Sequence, residues 1–357
     1  MLALILSSCS NNNPIPEPGE SIEMPVSIEI SKGKSQASRA ADHEWAMEGT
    51  STADKVMLLV FKGPKGATKA DIKDFNYVFH QILECRESGT KRIARGSITG
   101  EADATYGVFA LAYNSTTEAA LFNITDTNAT YADVKIQLIP TPGGAKPDIY
   151  QTPEFFAGHV APPGNTNWVF TADEQTKLGG ILYRAVGKCK FSVKDIPANI
   201  RQVAWVTGEM TNYCNIYNST TIFDEYPMGF PGSDKQLKRV CQVASADRGI
   251  LTGGATSWNA AMETFFIPLK ESLFFIDATD DGGSTTRYLV KCPDRWEYTI
   301  WIGIINVIVS EYKFSVAPNW LIEISGTYDQ LKNAGNMVID LTEVTSEYDG
   351  GILPPSI

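Results

Sequence analysis

Apolar and polar residues alternate along most of this chain, and that period of two residues limits what the chain can fold into. In the segment MPVSIEIS, Met24, Val26, Ile28 and Ile30 are apolar, and the residues between them are mainly polar. Such alternation places the four apolar side chains on one face of a β-strand. Similar short segments recur to residue 341, separated by turns rich in Gly, Pro and Asn. The pattern predicts an all-β protein built from β-sandwiches.

The length of 357 residues predicts two such domains, because a domain usually contains about 100–200 residues. We place the N-terminal sandwich at residues 22–176 and the C-terminal sandwich at residues 177–357, with the boundary in the polar stretch ADEQTKLGG. The segment ILYRAVGKCKFSV, residues 181–193, is predicted to be one buried strand that opens the second domain. Its two sides are Leu182 with Val186, and Ala185 with Cys189, Phe191 and Val193.

The charge and the motifs exclude several functions. The net charge is −11 and no block of Lys or Arg occurs, so we expect no nucleic-acid partner. The three histidines are scattered and the usual catalytic motifs are absent, so we expect no enzyme, no cofactor and no metal. Asp277, Asp280 and Asp281 in DATDDGG could hold calcium, but the ligand spacing of a calcium loop is missing. The dipeptide Asp281-Gly282 favours a hairpin turn instead.

The N-terminus indicates a bacterial lipoprotein. The apolar run that ends in Leu6-Ser7-Ser8-Cys9 resembles a lipobox. In a lipobox, signal peptidase cuts before the cysteine and a lipid is attached to the cysteine sulfur. Residues 1–21 would then be the remnant of a signal sequence, with a start upstream of Met1, followed by a polar tether. The other apolar run, Ile300 to Val309, is too short to span a membrane and predicts a buried strand.

Cysteines and tryptophans leave alternatives open. Besides Cys9 there are five cysteines, namely Cys85, Cys189, Cys214, Cys241 and Cys292. Export would permit disulfides among them, but the sequence does not choose the pairs, and each could equally be a small core residue. Trp45, Trp168 and Trp258 could stack on sugars, although core packing is the simpler interpretation.

One set of motifs resembles the fimbrillins, the type V pilins of Bacteroidetes. PEFFAGHV is followed after a spacer by LYRAVGKCKFSVKDIP, in which Leu182, Arg184, Val186, Gly187 and Lys188 match the family pattern opening the second domain. GVFALAYN (107–114) and FSVAPNWLIEISG (314–326) resemble further strands of that family. The resemblance implies two tandem transthyretin-like β-sandwiches.

The resemblance to the fimbrillins also implies that the protein is a pilus subunit with a role in adhesion. Fimbrillins are exported as lipoproteins, and an Arg-specific protease cuts after the first strand, which here would be the bond between Arg39 and Ala40. Loss of the strand that contains Met24, Val26, Ile28 and Ile30 exposes two sheet edges, which a strand of a neighbouring subunit can fill. Such head-to-tail contacts build a filament at the cell surface, whose partners are other pilus subunits, the outer membrane through the lipid, and a host or bacterial ligand. The alternative is a monomeric surface adhesin or glycan-binding module.

The donor strand has one candidate. Met337, Ile339 and Leu341 in NMVIDLTEV repeat the alternation of the first strand. This segment is either the donor or the last strand of its own second domain, and the sequence leaves both open. The stalk, tip and anchor roles within a pilus are open as well.

Overall fold

The computed structural model describes residues 20–30, 52–88, 91–116, 129–133, 135–137, 154–173, 175–208, 213–215, 238–244, 255–266, 273–290, 297–302, 305–310 and 321–333. In this part of the chain the regular elements are strands, together with one 3₁₀ helix, Lys69–Asp74, and one short α-helix, Tyr328–Lys332. The all-β class is therefore confirmed. None of the helices described is long and apolar enough to cross a membrane.

The strands are numbered in chain order. The first nine are β1 (Ser21–Ile30), β2 (Lys55–Gly63), β3 (Asn76–Ser88), β4 (Lys91–Glu101), β5 (Thr105–Tyr113), β6 (Lys135–Gln137), β7 (Phe155–Val160), β8 (Val169–Thr171) and β9 (Leu178–Arg184). The others are β10 (Gly187–Pro197), β11 (Ile200–Gly208), β12 (Tyr213–Asn215), β13 (Lys238–Ala244), β14 (Ser257–Phe266), β15 (Leu273–Asp280), β16 (Thr285–Val290), β17 (Glu297–Ile302), β18 (Ile305–Ser310) and β19 (Leu321–Thr327).

Seven N-terminal strands close into a ring, which the sequence did not predict. Their order is β2-β3-β4-β1-β9-β7-β5, and β5 pairs again with β2. β8 pairs with β5 outside this ring. The sequence suggested a sandwich of two separate sheets, whereas here the sheets are joined on both sides. Closure removes the free edges that a sheet otherwise exposes.

The ring encloses one apolar core. The alternate side chains of β1 point into it and pack with side chains of β2, β5 and β9, including Leu58, Val108 and Leu182. β2 and β5 are buried on both faces, because Leu59 and Phe109 belong to a second cluster on the outer side of the ring. That double burial explains why these two strands are almost continuously apolar in sequence.

The second cluster extends to the C-terminal strands. It continues through Phe191, Trp205 and Phe274, which lie on β10, β11 and β15. These strands form two sheets, β14-β10-β19 and β13-β11-β15-β16. Within β14-β10-β19, β10 is antiparallel to β14 and parallel to β19.

The predicted single strand over residues 181–193 is wrong, because two strands occupy this segment. β9 pairs with β1 and β7 in the ring, and β10 pairs with β14 and β19 in the other sheet. The chain thus changes sheet at Ala185 and Val186. The domain boundary at residues 176 and 177 stays a prediction. Ala185 and Val186 are buried, so the apolar alternation continues through the crossing and conceals it.

The apolar run from Ile300 to Val309 also differs from its prediction. It contributes to two antiparallel strands, β17 and β18, with Ile302 opposite Ile305. A run of ten apolar residues suits one long strand or two short paired strands equally well. Gly303 was the available signal for a hairpin, because glycine is common in two-residue turns.

Candidate functional site

The strand β1 lies inside the ring and is paired on both sides. It is antiparallel to β4 over its whole length, from Ser21 opposite Glu101 to Ile30 opposite Arg92. It is parallel to β9 only in its second half, from Val26 opposite Leu178 to Ile30 opposite Leu182. The parallel ladder begins one residue after Pro25, whose ring nitrogen has no hydrogen to donate. β1 is thus the strand that joins β4 to β9.

The slot that holds β1 is defined here as β4, β9 and the core side chains beneath them. Five β1 side chains point into it, each between 0 and 5% exposed, namely Ile22, Met24, Val26, Ile28 and Ile30. The slot is fitted to them closely, since a Cβ atom added at Gly100 of β4 would lie 2.9 Å from the terminal methyl of Met24. The predicted alternation of this strand is therefore confirmed, while its displacement stays a prediction.

The outward face of β1 is polar and makes weaker contacts. The carboxylate of Glu29 lies 2.9 Å from the ammonium of Lys91 on β4, and Ser97 donates a hydrogen bond of 2.5 Å to Glu23. Both contacts are at least partly exposed, and exposed ion pairs contribute only about 0–1 kcal/mol to stability. The inward apolar side chains therefore dominate the affinity of the slot for its strand.

The two ends of the connection that follows β1 lie close together. Ile30, the last residue of β1, is opposite Arg92, and the Arg92 guanidinium donates a hydrogen bond to the carbonyl oxygen of Ala53. The next residue, Asp54, accepts a bond of 2.7 Å from the amide of Ser115. Burial raises the pKa of Asp54, but the hydrogen bonds from Ser115 lower it by a larger amount. The pKa of Asp54 therefore lies below its ordinary value. The start of β2 is thus anchored independently of β1.

Arg184, part of the family-like motif, has a structural role that the sequence did not reveal. Its guanidinium donates to Glu154 at 2.8 Å, and the two side chains are 3% and 12% exposed. The other oxygen of Glu154 accepts a bond of 3.3 Å from the hydroxyl of Thr52. Burial lowers the pKa of Arg184, and the neighbouring carboxylate opposes that effect. This pair ties the end of β9 to the segments that precede β7 and β2.

A groove of about 570 Å³ lies beside β1 and is lined by Ser27, Glu29, His159, Trp168, Gly180 and Tyr183, among others. Trp168 stacks on His159 at 3.9 Å between ring centroids, and the ammonium of Lys69 lies 3.3 Å from the centroid of Trp168. Two groups at such distances cannot lie on the same side of the ring, so each face of Trp168 has a neighbour in this structure and neither face is open for a sugar to stack on. Burial, and then the nearby Lys69, lower the pKa of His159 to about 3, so its imidazole is neutral.

The other candidate residues have structural partners. Trp258 is buried and donates to the carbonyl of Ile200 at 2.9 Å, and Trp45 lies outside the described residues. Asp277 is buried and forms two bonds with Arg287, of 2.7 and 2.8 Å, while Asp281 pairs with Arg201. In the part of the chain described, no cluster of three or more His, Cys, Asp or Glu side chains could hold a metal.

The hairpin of DATDDGG is present, with a different turn from the predicted two-residue one. β15 ends at Asp280 and β16 begins at Thr285. The amide of Gly283 donates to the carbonyl of Asp280 at 3.0 Å, and Gly283 has a positive φ of 81°. Glycine is favoured in that conformation, which is typical of longer hairpin loops with a bulge.

Several predicted residues lie outside the described part of the chain. They are Cys9, Arg39, Ala40, Cys292 and the possible donor residues Met337, Ile339 and Leu341. Among the remaining cysteines, Cys85 and Cys189 are buried, as core residues would be. Burial raises the pKa of the Cys85 thiol.

Comparison with known proteins gives matches only among solved structures. No protein-family model and no curated protein matches the sequence. The structure of a candidate adhesin from Bacteroides ovatus aligns with a TM-score of 0.44 and 12% identity, over 80% of this chain and 87% of that chain. The fimbrial anchor protein Mfa2 from Porphyromonas gingivalis aligns with a TM-score of 0.43 and 11% identity, over 75% of this chain and 81% of that chain.

The tip fimbrial protein Mfa3 from Porphyromonas gingivalis, with a C-terminal truncation, aligns with a TM-score of 0.34 and 11% identity, over 86% of this chain and 94% of that chain. These identities are low and the superpositions are loose. The chain is similar in structure to fimbrial proteins and candidate adhesins of Bacteroidetes, at low sequence identity.

Proposed function

We propose that this protein is a structural subunit of a cell-surface pilus that polymerises by donor-strand exchange. In this proposal the precursor is anchored in the outer membrane through a lipid on Cys9 and is cut between Arg39 and Ala40. It then loses β1 and accepts a strand from the next subunit, head to tail. The filament takes part in adhesion, and the chain has no enzymatic role. The arrangement of the whole chain as two transthyretin-like domains stays a prediction.

The observation that carries the proposal is that β1 closes the ring. Removal of β1 leaves two unpaired edges, Arg92–Glu101 on β4 and Leu178–Leu182 on β9. It also opens a row of apolar pockets between them. An exposed edge with alternating pockets is the kind of surface to which an extended strand of another chain binds, through main-chain hydrogen bonds and alternate side chains.

The energetics favour exchange over simple loss of the strand. Each of the five buried β1 side chains contributes about 1.5–3 kcal/mol on burial, so together they contribute about 7–15 kcal/mol. The entire free energy of unfolding of a domain is about 5–15 kcal/mol. A ring without any strand in the slot would therefore be at the limit of stability, and a replacement strand is needed.

The connection between β1 and β2 supports cleavage. Its two described ends, Ile30 and Ala53, both lie next to Arg92. The residues between them therefore need to span only a short distance. Because Asp54 is held by Ser115 and Thr52 by Glu154, a cut at Arg39 would leave β2 anchored. The same cut would leave β1 attached to the protein only by pairing and packing.

Digestion of the purified protein with an Arg-specific protease tests the proposal. We expect a ladder of head-to-tail chains on size-exclusion chromatography with light scattering after cleavage of the Arg39–Ala40 bond. The Arg39→Ala variant should stay monomeric under the same conditions. A protein that is cut at Arg39, releases β1 and nevertheless stays monomeric would contradict the proposal and favour the monomeric adhesin.

A further inference from the structure

We propose that Lys91 sets the register in which a second copy of this chain inserts residues 337–341 into the slot. In that register Asp340 of the incoming copy takes the place of Glu29 and pairs with Lys91. This inference rests on the proposed function, and it adds the contact that aligns the incoming strand.

The slot has a length that the candidate donor matches. β1 is flanked on both sides over five residues only, Val26–Ile30, because the ladder with β9 is confined to them. Three side chains of that segment point inward and are 0 to 3% exposed. Residues 337–341, MVIDL, have the same length and also place three apolar residues at alternate positions.

For a donor that runs in the same direction as β1, other registers are unfavourable. A slip of one residue turns Asp340 into the apolar core, because alternate residues face opposite sides. A shift that puts Met337 at the position of Met24 places Glu343 at Ile30, which is 1% exposed. The opposite shift puts Gly335 at Val26, where no side chain fills the pocket. The remaining register aligns Met337 with Val26 and Leu341 with Ile30.

That register restores the ion pair of the outward face. Asp340 then occupies the position of Glu29, whose carboxylate lies 2.9 Å from the ammonium of Lys91. Both strands therefore carry a carboxylate at the same place in the same apolar pattern. Because the pair is partly exposed, it contributes little to affinity, but a positive charge at the position of Glu29, beside Lys91, would oppose insertion. Lys91 thus discriminates between strands and registers.

The short link before the donor has a structural consequence. Asn333 ends the α-helix Tyr328–Lys332, and only three residues separate it from Met337. Four residue steps span at most about 14 Å. An inserted donor would therefore hold the two subunits nearly in contact.

A peptide experiment separates this contact from the rest of the slot. A labelled synthetic peptide of residues 333–345 and its Asp340→Lys form are added in excess to the full chain cut at Arg39. The rates at which the two peptides are incorporated are compared on the wild-type protein and on the Lys91→Glu protein. Any effect of Lys91→Glu on the release of β1 is common to both peptides and cancels in their ratio.

We expect the native peptide to be incorporated about fivefold to tenfold faster on the wild-type protein, and the preference to reverse on the Lys91→Glu protein. The matched control is Arg95→Glu, since Arg95 lies opposite Ser27, and this variant should keep the wild-type preference. An unchanged ratio on the Lys91→Glu protein, or a reversal at Arg95 instead, would overturn the register.

Two further outcomes keep this inference distinct from the proposed function. If no peptide is incorporated although cut protein still assembles into chains, the donor lies elsewhere and this inference fails, while strand exchange stands. If the cut protein neither releases β1 nor assembles, the proposed function itself fails.

Discussion

β1 and β10 have the same pattern of strand pairing but are connected differently to the rest of the chain. Each is a central strand with one antiparallel and one parallel neighbour, β4 and β9 for β1, and β14 and β19 for β10. β10 is joined to β9 by the two residues Ala185 and Val186, and to β11 by Ala198 and Asn199. β1 is joined to β2 through residues 31–54, which contain Arg39. Connections, rather than pairing, therefore decide which central strand one cut can release.

Removal of β1 should have the largest effect. Protein cut at Arg39, unfolded in urea, separated from its N-terminal fragment and refolded should lose about 7–15 kcal/mol of stability in the ring. Circular dichroism should show loss of native strand content at low protein concentration, where donors are dilute. A peptide of residues 20–31 should restore the native spectrum. Full recovery without that peptide would show that β1 is not needed for the ring.

For β10 the corresponding test is a core truncation. Phe191 is 1% exposed and packs against Trp205 at 5.0 Å between ring centroids, so Phe191→Ala should cost about 3–5 kcal/mol. Urea unfolding of the uncut protein measures this loss, with the exposed Lys194→Ala as the matched control. A loss below about 1 kcal/mol would mean that β10 is not a central strand.

The ion pair of Glu154 and Arg184 lies where the chain leaves the ring for β10. Glu154→Gln should cost about 3–5 kcal/mol, since it leaves a buried guanidinium without its charge partner. Replacement of both residues by leucine should cost less than this single change. Urea unfolding of the two variants measures both losses of stability. Equal losses would indicate that the unpaired buried charge is not what destabilises the Glu154→Gln protein.

The smallest expected effect is the pH dependence of stability that comes from His159 on β7, a strand of the ring. The pKa of His159 is lowered to about 3 in the folded protein, against about 6.5 in an unfolded chain. Because the unfolded chain binds the proton more readily, stability is full above pH 6.5 and is lost as pH falls toward 3. Between pH 7 and pH 5 the loss should be about 1–2 kcal/mol. The variant His159→Gln should lose this part of the pH dependence. If the variant and the wild-type protein lose equal stability between pH 7 and pH 5 in urea unfolding, His159 is not the group responsible.

The sequence revealed the elements whose burial follows a local pattern. β1 was predictable because one of its faces is buried, and β2 because both of its faces are apolar. Closure of the ring was not predictable, since pairing of β2 with β5 and of β1 with β9 joins segments far apart in the chain. The role of Glu154 was missed for the same reason.

The division between β9 and β10 was hidden by a continuous pattern. Leu182, Val186 and Cys189 are buried in the structure although they belong to different strands or to the link between them. Alternation alone reports burial and does not report the sheet to which a residue belongs.

The N-terminal residue of the protein recovered from the cell surface shows whether β1 has been released. If β1 is released and replaced, chemical sequencing of the assembled protein should begin at Ala40, with the segment of β1 absent. A protein that forms surface filaments yet begins at a lipidated Cys9 and retains β1 throughout would show that the filament does not form by exchange of β1.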